Sequence, residues 1–442
     1  MSATTPETLA TSAAPEAELT PELRREIRRV SPYDFPLLAA VVLLLGLGAV
    51  MVYSATINEM TQLTGDGMGK LKTHLLHMGL GITAMLVLTF VPYRRLRPLV
   101  YPGLFVTIGF LGLVIIAGVQ AGNARRWLAL PGFNFQPAEL AKLMFVVFLA
   151  HSLAKKAGNI RRFSVAFIPH FFVCAILIFL CLFQPDFGTS VILVALMFMM
   201  LFAAGTRLSF ITLFIFVGGF LAFQAIASND MRLGRVMAAI DPWAHRIGRG
   251  YQMVSSQIAI GSGGVLGQGL GYGGQTLTGH LPEGETDFIL SVLGEQLGAV
   301  GIVFVTLLFG LIIHRGIRVA LRCEDAFGRY LAFGITLLLG LECVINMLVA
   351  VALIPTKGLT LPFVSYGGSS MLLSCAAIGI LLNISRSLDW ERVREHVPAV
   401  RLSEEPAERG PEVRVQAPKT RWQKVAARFK KKKQQTVEEV LR

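Results

Sequence analysis

Apolar runs separated by short polar segments recur along most of this 442-residue chain. Each run approaches the roughly 20 residues that an α-helix needs to cross the hydrocarbon core of a bilayer. The pattern therefore predicts an all-α polytopic membrane protein with ten transmembrane helices. The predicted spans are Phe35–Ser54, His74–Val91, Leu99–Val119, Pro137–Ala154, Phe163–Phe183, Gly188–Ala204, Leu208–Ala227, Phe288–Ile313, Tyr330–Leu353 and Pro362–Ile384.

Polar stretches divide the rest of the chain. Residues 1–32 are rich in Ala, Thr, Pro and Glu, which predicts a disordered cytoplasmic tail before a membrane domain over residues 33–386. Residues 229–286, between spans seven and eight, hold aromatic and apolar residues, so we expect an extracytoplasmic loop with short amphipathic helices at the outer interface. Residues 387–442 form a basic cytoplasmic tail, whose end either binds anionic lipid or a partner or is simply solvated.

The basic residues of the short loops predict the orientation. Arg94, Arg95 and Arg97 follow span two, and similar clusters follow spans four and eight, whereas the opposite loops carry fewer cations. Cytoplasmic loops carry an excess of Lys and Arg, so the first set and both termini are expected in the cytoplasm. Arg126 and Lys357 fall in outside loops against this bias, which calls for a reason for their presence.

Composition removes other classes of protein. The chain is 53% hydrophobic and 16% charged, whereas a soluble domain carries about 25% charged residues. The net charge of +13 resides mostly in loops and the C-terminal tail, so the orientation rule explains it better than nucleic-acid binding does. The five cysteines show no spacing typical of a metal site or a disulfide framework.

The segment from Gly261 to Gly298 is the strongest candidate for chemistry. It is rich in glycine, then acidic, and then turns into an apolar run, with Asp287 at the junction. An acidic residue in the first turn of a helix also suits the helix dipole, so a structural role is equally open. The nearby Glu283 and Glu285, together with an apolar flank, would raise the pKa of Asp287 towards that of a working general base.

The segment has two further features of interest, a glutamate within the predicted span and a glycine pattern. Glu295 lies about two turns below Asp287, roughly 12 Å along the helix axis, and a carboxylate inside a membrane span is a site candidate by default. Gly269, Gly271 and Gly274 formally match the pattern G-x-G-x-x-G. No predicted strand precedes them and no βαβ unit surrounds them, so we do not assign a nucleotide site.

Charged residues also stand at the start of span four. Glu139 and Lys142 are three residues apart and share one face of a helix that begins at Pro137. One interpretation is an ion pair that lowers the cost of placing both charges in the membrane. The other is that Arg126 and Lys142 form a cationic floor for a diphosphate, held in place by Glu139.

The connection before span ten combines a lone cation with small residues. Lys357 lies between Pro355 and Pro362, and Ser365 begins a run of small residues. Glycines in this run would allow close helix packing, which is the structural interpretation. The functional interpretation makes Lys357 an anion ligand and Ser365 a substrate-binding residue.

Several motifs together resemble one known family. The sequence contains RRWL, QPAELAK, QPDFGTS, GRGYQ, TDFILSVLGEQLG and PTKGLTLPFVSYGGSS, in this order, between about residues 51 and 385. This set resembles the SEDS family (shape, elongation, division and sporulation) of peptidoglycan polymerases. The PTKG motif resembles that of the division branch, FtsW, more than that of the elongation branch, RodA. Many members carry histidine before the Thr-Asp-Phe triplet, where this chain has Glu285.

The resemblance implies a ten-helix glycosyltransferase of the bacterial inner membrane that joins lipid II into glycan strands at the outer leaflet. It implies that Asp287 is the catalytic residue and that Arg126, Glu139, Lys142 and Lys357 serve the substrate. It also implies a class B penicillin-binding protein and other division proteins as partners, at the division septum. Mg²⁺ or Mn²⁺ is expected as a cofactor only through phosphate oxygens, since the sequence shows no protein cage.

Three other functions stay open at this point. A flippase for the same lipid would also place charges inside the membrane, although no inverted repeat is visible. An elongation-type polymerase would share the same motifs. A structural scaffold would tolerate loss of the charge at Asp287.

Overall fold

The computed structural model describes residues 33–64, 67–121, 124–130, 133–156, 167–228, 230–277, 281–356 and 358–396. The predicted N-terminal tail, most of the C-terminal tail and Lys357 lie outside these ranges. The helices are α1 (Phe35–Thr64), α2 (Gly69–Phe90), α3 (Leu96–Ala117), α4 (Pro137–Lys155), α5 (Ile168–Phe183), α6 (Phe187–Ala203), α7 (Leu208–Ala227), α8 (Asp230–Ile240), α9 (Tyr251–Gly263), α10 (Gly274–Leu277), α11 (Ile289–Arg322), α12 (Ala326–Ala350) and α13 (Gly368–His396). The strands are β1 (Val119–Ala121), β2 (Ala124–Leu130) and β3 (Phe133–Phe135).

Each of the ten predicted spans coincides with an apolar helix, which confirms the predicted fold class. Among the described residues, seven helices are long and apolar enough to cross a membrane, and three apolar segments are shorter: Ile168–Phe183, Phe187–Ala203 and Leu208–Phe220. The centre of the bundle is formed by α4 and α13, in each of which 78% of the spanning stretch is buried, against 28% in α2 and α3. The outer helices therefore present apolar side chains to lipid.

Local sequence explains where key helices begin. Pro137 starts α4 with a backbone angle already suited to the first helical turn. Asp186 caps α6 by accepting the backbone N–H of Thr189 at 3.0 Å, and Asp325 caps α12 by accepting that of Gly328 at 3.2 Å. These caps satisfy N–H groups that a helix start leaves without partners.

The start of the last helix differs from the prediction. We expected it at Pro362, but α13 begins at Gly368. Phe363 has a positive φ of 66°, and the backbone N–H of Leu361 donates to Ser365 Oγ at 2.8 Å. This turn keeps residues 362–367 outside the helix. At its other end α13 continues to His396, into the segment predicted as the C-terminal tail.

A small sheet between α3 and α4 was not predicted. Its strands are antiparallel in the order β1-β2-β3, with Gln120 opposite Arg125 and Leu128 opposite Phe135. The apolar run of span three continues into β1, so hydropathy alone gave no sign of the change. The sheet places Arg126 at the same end of the bundle as the start of α11.

The long loop is more deeply packed than expected. The predicted segment contains two helices of more than ten residues, α8 and α9, and α9 packs against α11. Ser256 of α9 hydrogen bonds Ser291 of α11 and donates to the carbonyl of Ala350. A methyl group at Gly263 would lie 1.9 Å from the carbonyl oxygen of Gly294. Such close backbone contact depends on glycine.

The glycine-rich run after α9 fills a break in α11. Gly298 has a φ of 66° and interrupts the helix. Backbone N–H groups of Gln268 and Ala299 donate to carbonyls of Glu295 and Gly264 at 3.0 and 2.9 Å. The glycines therefore join a loop to a broken helix, which agrees with rejecting them as a nucleotide motif.

Replacing Gly298 tests the interlock, by which we mean the close contact between the glycine-rich loop and the break in α11. Gly298→Ala forces a side chain into a positive φ, where a methyl group would meet the backbone N of Gly267 at 2.4 Å. We expect a loss of at least about 1–3 kcal/mol in the free energy of unfolding, measured as a lower thermal midpoint in detergent. Gly310→Ala in the same helix is the control, because no atom lies within 4 Å of its methyl position. Equal midpoints for the two variants would contradict the interlock.

Candidate functional site

A cavity of about 1050 Å³ opens at the end of the bundle where α2 and α11 begin. Six regions contribute to it: α2, β2 and β3, the turn before α6, the α8–α9 region, the turn before α11, and the loop before α13 together with the first turn of that helix. Its charged lining residues are Arg126, Asp186, Arg235, Arg249, Glu283 and Asp287. The cavity therefore brings together carboxylates and guanidinium groups from distant parts of the sequence.

Asp287 lies in the turn that precedes α11, and its backbone is fixed from outside that turn. Asn346 of α12 donates from Nδ2 to the Asp287 carbonyl at 2.9 Å and to the Leu359 carbonyl at 2.7 Å. Ser365 donates to the neighbouring Thr286 carbonyl at 2.6 Å. The carboxylate is thus presented to the cavity from a rigid backbone.

The surroundings of Asp287 favour its protonated form. Burial, followed by the negative charge of Glu283, raises the pKa of Asp287 to about 7. Arg126 acts in the opposite direction, while Asp186 and Glu285 add to the increase. The sequence predicted this effect from the acidic neighbours, and the carboxylate can exchange a proton near neutral pH.

Arg126 lies beside Asp287 and is oriented by carbonyl groups. Its Nε and one terminal nitrogen donate to the carbonyls of Gln184 and Pro185 at 3.1 and 2.6 Å. A methyl group at Gly358 would lie 3.5 Å from Asp287 Oδ2 and 3.6 Å from the other terminal nitrogen of Arg126. The guanidinium group and the carboxylate therefore flank the same glycine. Lys357 precedes that glycine but lies outside the described residues.

Lys142 and Glu139 form an ion pair inside the helix bundle. The Lys142 ammonium group lies 2.7 Å from Glu139 and 2.5 Å from Glu342, and its side chain is only 2% exposed. Neither Lys142 nor Glu139 lines the cavity. The charge of Lys142 is shared by two carboxylates inside the helix bundle, which agrees with the ion-pair interpretation, and a diphosphate floor at Lys142 stays a prediction.

The carboxylate of Glu295 is also held by hydrogen bonds within the protein. Its carboxylate accepts backbone N–H groups of Gln275 and Thr276 at 2.7 and 3.2 Å, and the Thr276 hydroxyl at 2.6 Å. A methyl group at Gly273 would lie 2.5 Å from this carboxylate. Glu295 thus holds the start of α10, and neither Glu295 nor Ser365 is among the residues that line the cavity. Both hold backbone groups in place, and their predicted binding to substrate stays a prediction.

Sequence reasoning missed two arginines and one glutamate. Arg235 and Arg249 line the cavity, and the Arg249 guanidinium lies over Gly234, beside Arg235. Both belong to a segment predicted to lie on the outer side of the membrane. Because cations are uncommon in outside loops, the reasoning that singled out Arg126 applies to these two arginines as well. Glu342 is a carboxylate within an apolar span. The same feature made Glu295 a site candidate, so it could have identified Glu342 too.

The arrangement suits acid–base chemistry next to an anion. Three guanidinium groups offer paired donors to phosphate oxygens, and Asp287 offers a carboxylate with a pKa near 7. Among the described residues, no group of three or more His, Cys, Asp or Glu side chains could hold a metal ion.

Comparison with known proteins assigns the family. A family model described as "Cell cycle protein" (FtsW, RodA and SpoVE) matches residues 35–389. The chain belongs to the FtsW/RodA/SpoVE family. The resemblance to SEDS proteins seen in the sequence motifs is therefore confirmed over the whole membrane domain.

Relatives within this family favour the FtsW branch. A protein of Trichlorobacter lovleyi named "Probable peptidoglycan glycosyltransferase FtsW" is 43% identical over 369 residues, covering 83% of this chain and 97% of the relative. The stage V sporulation protein E of Bacillus subtilis is 37% identical over 368 residues, covering 81% of this chain and 98% of the relative.

Solved structures in the family share the fold. A chain of a peptidoglycan synthase complex, studied for coordination of polymerization and crosslinking, has a TM-score of 0.67 at 29% identity and covers 80% of this chain and 98% of its own length. The rod shape determining protein RodA of Thermus thermophilus has a TM-score of 0.60 at 28% identity, with coverages of 80% and 97%.

The buried triad makes a prediction about stability. Lys142→Met leaves Glu139 and Glu342 without their shared cation, and breaking a buried ion pair costs about 3–5 kcal/mol. We expect a large fall in thermal midpoint. The control is Arg97→Met, whose pair with Asp325 is 42% exposed on the arginine side and should contribute below about 1 kcal/mol. A Lys142 variant as stable as the Arg97 variant would contradict the triad.

Proposed function

We propose that this protein is a peptidoglycan glycosyltransferase of the division branch, which polymerises lipid II into glycan strands. The observation that carries the proposal is Asp287, a carboxylate with a pKa of about 7 facing a cavity lined by Arg126, Arg235 and Arg249. The relatives named as peptidoglycan glycosyltransferases support the same reaction.

The chemistry follows from the leaving group. The donor sugar leaves as a polyprenyl diphosphate, which needs neutralisation of negative charge and no added proton. The bond from the sugar to the diphosphate breaks, a bond to the acceptor hydroxyl oxygen forms, and the hydroxyl proton passes to Asp287. One carboxylate is then sufficient, in contrast to the paired carboxylates of most glycoside hydrolases. The arginines of the cavity hold the departing diphosphate.

Location and partners form part of the proposal. The charge bias of the loops supports insertion in the bacterial inner membrane with both termini in the cytoplasm and the cavity at the outer face. A class B penicillin-binding protein is the proposed partner, together with other division proteins at the septum. The similar chain within a peptidoglycan synthase complex supports such an assembly.

A divalent cation is a separate proposal. Mg²⁺ commonly binds one or two carboxylates together with substrate phosphates, and the cavity offers Asp287 for such partial ligation. Bound there, Mg²⁺ or Mn²⁺ would neutralise phosphate charge alongside the arginines. A protein cage for it is not formed by the described residues.

Removing the proposed base tests the function. Asp287→Asn keeps the size of the side chain and removes its capacity to accept a proton, so we expect glycan synthesis from lipid II to fall about 10²–10⁴-fold. Product length would be measured with purified protein and a candidate transpeptidase. Asp325→Asn, at the opposite end of the bundle, is the control. Undiminished polymer from the Asp287 variant would end the assignment, and lipid transfer between leaflets without polymer would indicate a flippase.

The pH dependence of synthesis provides an independent test. Because the base must be ionised, the rate should rise with pH through a midpoint at about 7. Glu283→Gln removes the like charge that raises the pKa of Asp287, so its midpoint should move to lower pH. Rates measured from about pH 5 to pH 9 would check the shift. A midpoint unchanged in the Glu283 variant would contradict the electrostatic coupling.

A further inference from the structure

We propose that His77, Phe133 and Tyr366 form a carbohydrate-binding subsite in the same cavity. The inference rests on the proposed function, since it names the part of the cavity that receives the sugar. All three residues line the cavity, and they come from α2, β3 and the turn before α13. The motifs used to recognise the family include neither His77 nor its helix.

The three rings are close neighbours. The ring centroids of His77 and Phe133 lie 5.3 Å apart in an edge arrangement, and those of His77 and Tyr366 lie 6.4 Å apart. Gly368 allows this packing, because a methyl group there would lie 2.9 Å from Phe133 and 3.0 Å from His77. The backbone of α13 thus approaches both rings directly.

His77 is a buried polar group without a partner. Its side chain is 7% exposed, and neither ring nitrogen has a hydrogen-bond partner within the described part of the chain. Leaving a buried donor or acceptor unsatisfied costs about 1–3 kcal/mol, and most buried polar groups in folded proteins are bonded. Because His77 also lines the cavity, a bound molecule can supply the missing partner.

The chemistry around His77 selects the class of ligand. The lining next to Phe133 in sequence is uncharged: Asn134 and Gln136 also line the cavity, and Ser369 hydrogen bonds the backbone of both at 3.1 and 2.8 Å. The arginines of the described lining belong to β2 and the α8–α9 region instead. Aromatic surfaces with a few polar groups suit the apolar faces and hydroxyls of a sugar, whereas a phosphate would require the cations.

The hydrogen-bonding capacity of imidazole agrees with this assignment. A neutral imidazole provides one donor and one acceptor. A sugar hydroxyl or an acetamido group also provides both, so one ligand can satisfy the two nitrogens of His77. The subsite would therefore orient the carbohydrate while the arginines hold the diphosphate.

His74 provides a matched control. It lies one helical turn before His77, is fully buried, and stacks on Tyr366 at 6.0 Å. Its ring nitrogens also lack partners within the described residues, but it does not line the cavity. Replacing either histidine by phenylalanine keeps an aromatic ring, so a difference between the variants isolates contact with the cavity.

The experiment compares binding of a lipid with and without its sugar. Affinities of the full-length protein for lipid II and for sugar-free polyprenyl diphosphate would be measured by calorimetry in detergent, in an Asp287→Asn background that prevents turnover. We expect His77→Phe to weaken lipid II binding about tenfold and to leave polyprenyl diphosphate binding unchanged. His77→Gln should restore most of the loss, and His74→Phe should match the parent.

Further outcomes separate the two proposals. Phe133→Leu retains His77 and should also lower the preference for lipid II, which gives a second test if His77→Phe does not fold. Equal losses in the His74 and His77 variants would show a packing role only and overturn the subsite. An unchanged preference in the His77 and Phe133 variants would overturn it as well. Absence of polymer from the unmodified protein would refute the glycosyltransferase proposal. The ratio of the affinities for lipid II and polyprenyl diphosphate would still decide whether the subsite binds carbohydrate.

Discussion

The double hydrogen bond of Asn346 is the interaction on which the site depends. One buried amide holds the carbonyls of Asp287 and Leu359, so two loops that are distant in sequence keep a fixed separation. Asn346 lies one helical turn after Glu342, which pairs with Lys142 of α4. The α12 helix, which holds the backbone of Asp287, is thus itself bonded to α4 at the centre of the bundle. The packing of the membrane domain therefore determines where the Asp287 carboxylate lies.

Four of the acidic residues that the structure describes differ in how their charge is compensated. Glu139, Glu342 and Glu295 are buried and bonded to an ammonium group or to backbone N–H groups. Asp287 has Arg126 nearby, but burial and Glu283 prevail and its pKa rises. Asp287 also lines the cavity, where a substrate can reach it, whereas Glu139 and Glu342 share the Lys142 ammonium group inside the bundle.

The sequence allowed prediction of what depends on local pattern. Apolar runs predicted the ten helices, and crowded acidic residues predicted an unusual Asp287. The structural roles of Lys142 and Glu295 could not be separated from substrate binding, because the partner Glu342 lies 200 residues away and the loop that surrounds Glu295 has no periodic pattern. The packing of α9 on α11 could not be predicted from hydropathy either. It depends on close backbone contact at Gly263, between residues that are distant in sequence.

The interruption of α11 at Gly298 separates two mechanical parts of one helix. The first turns follow Asp287, the longer part beyond Gly298 crosses the apolar region, and both are hydrogen bonded to the glycine-rich loop. Spans adjust their tilt when bilayer thickness changes, and a continuous helix would carry that motion to its tip. Here the glycine-rich loop is bonded to residues on both sides of the break, at Glu295 and Gln296 and at Ala299 and Val300, so the loop supports the point at which the reactive end joins the membrane span.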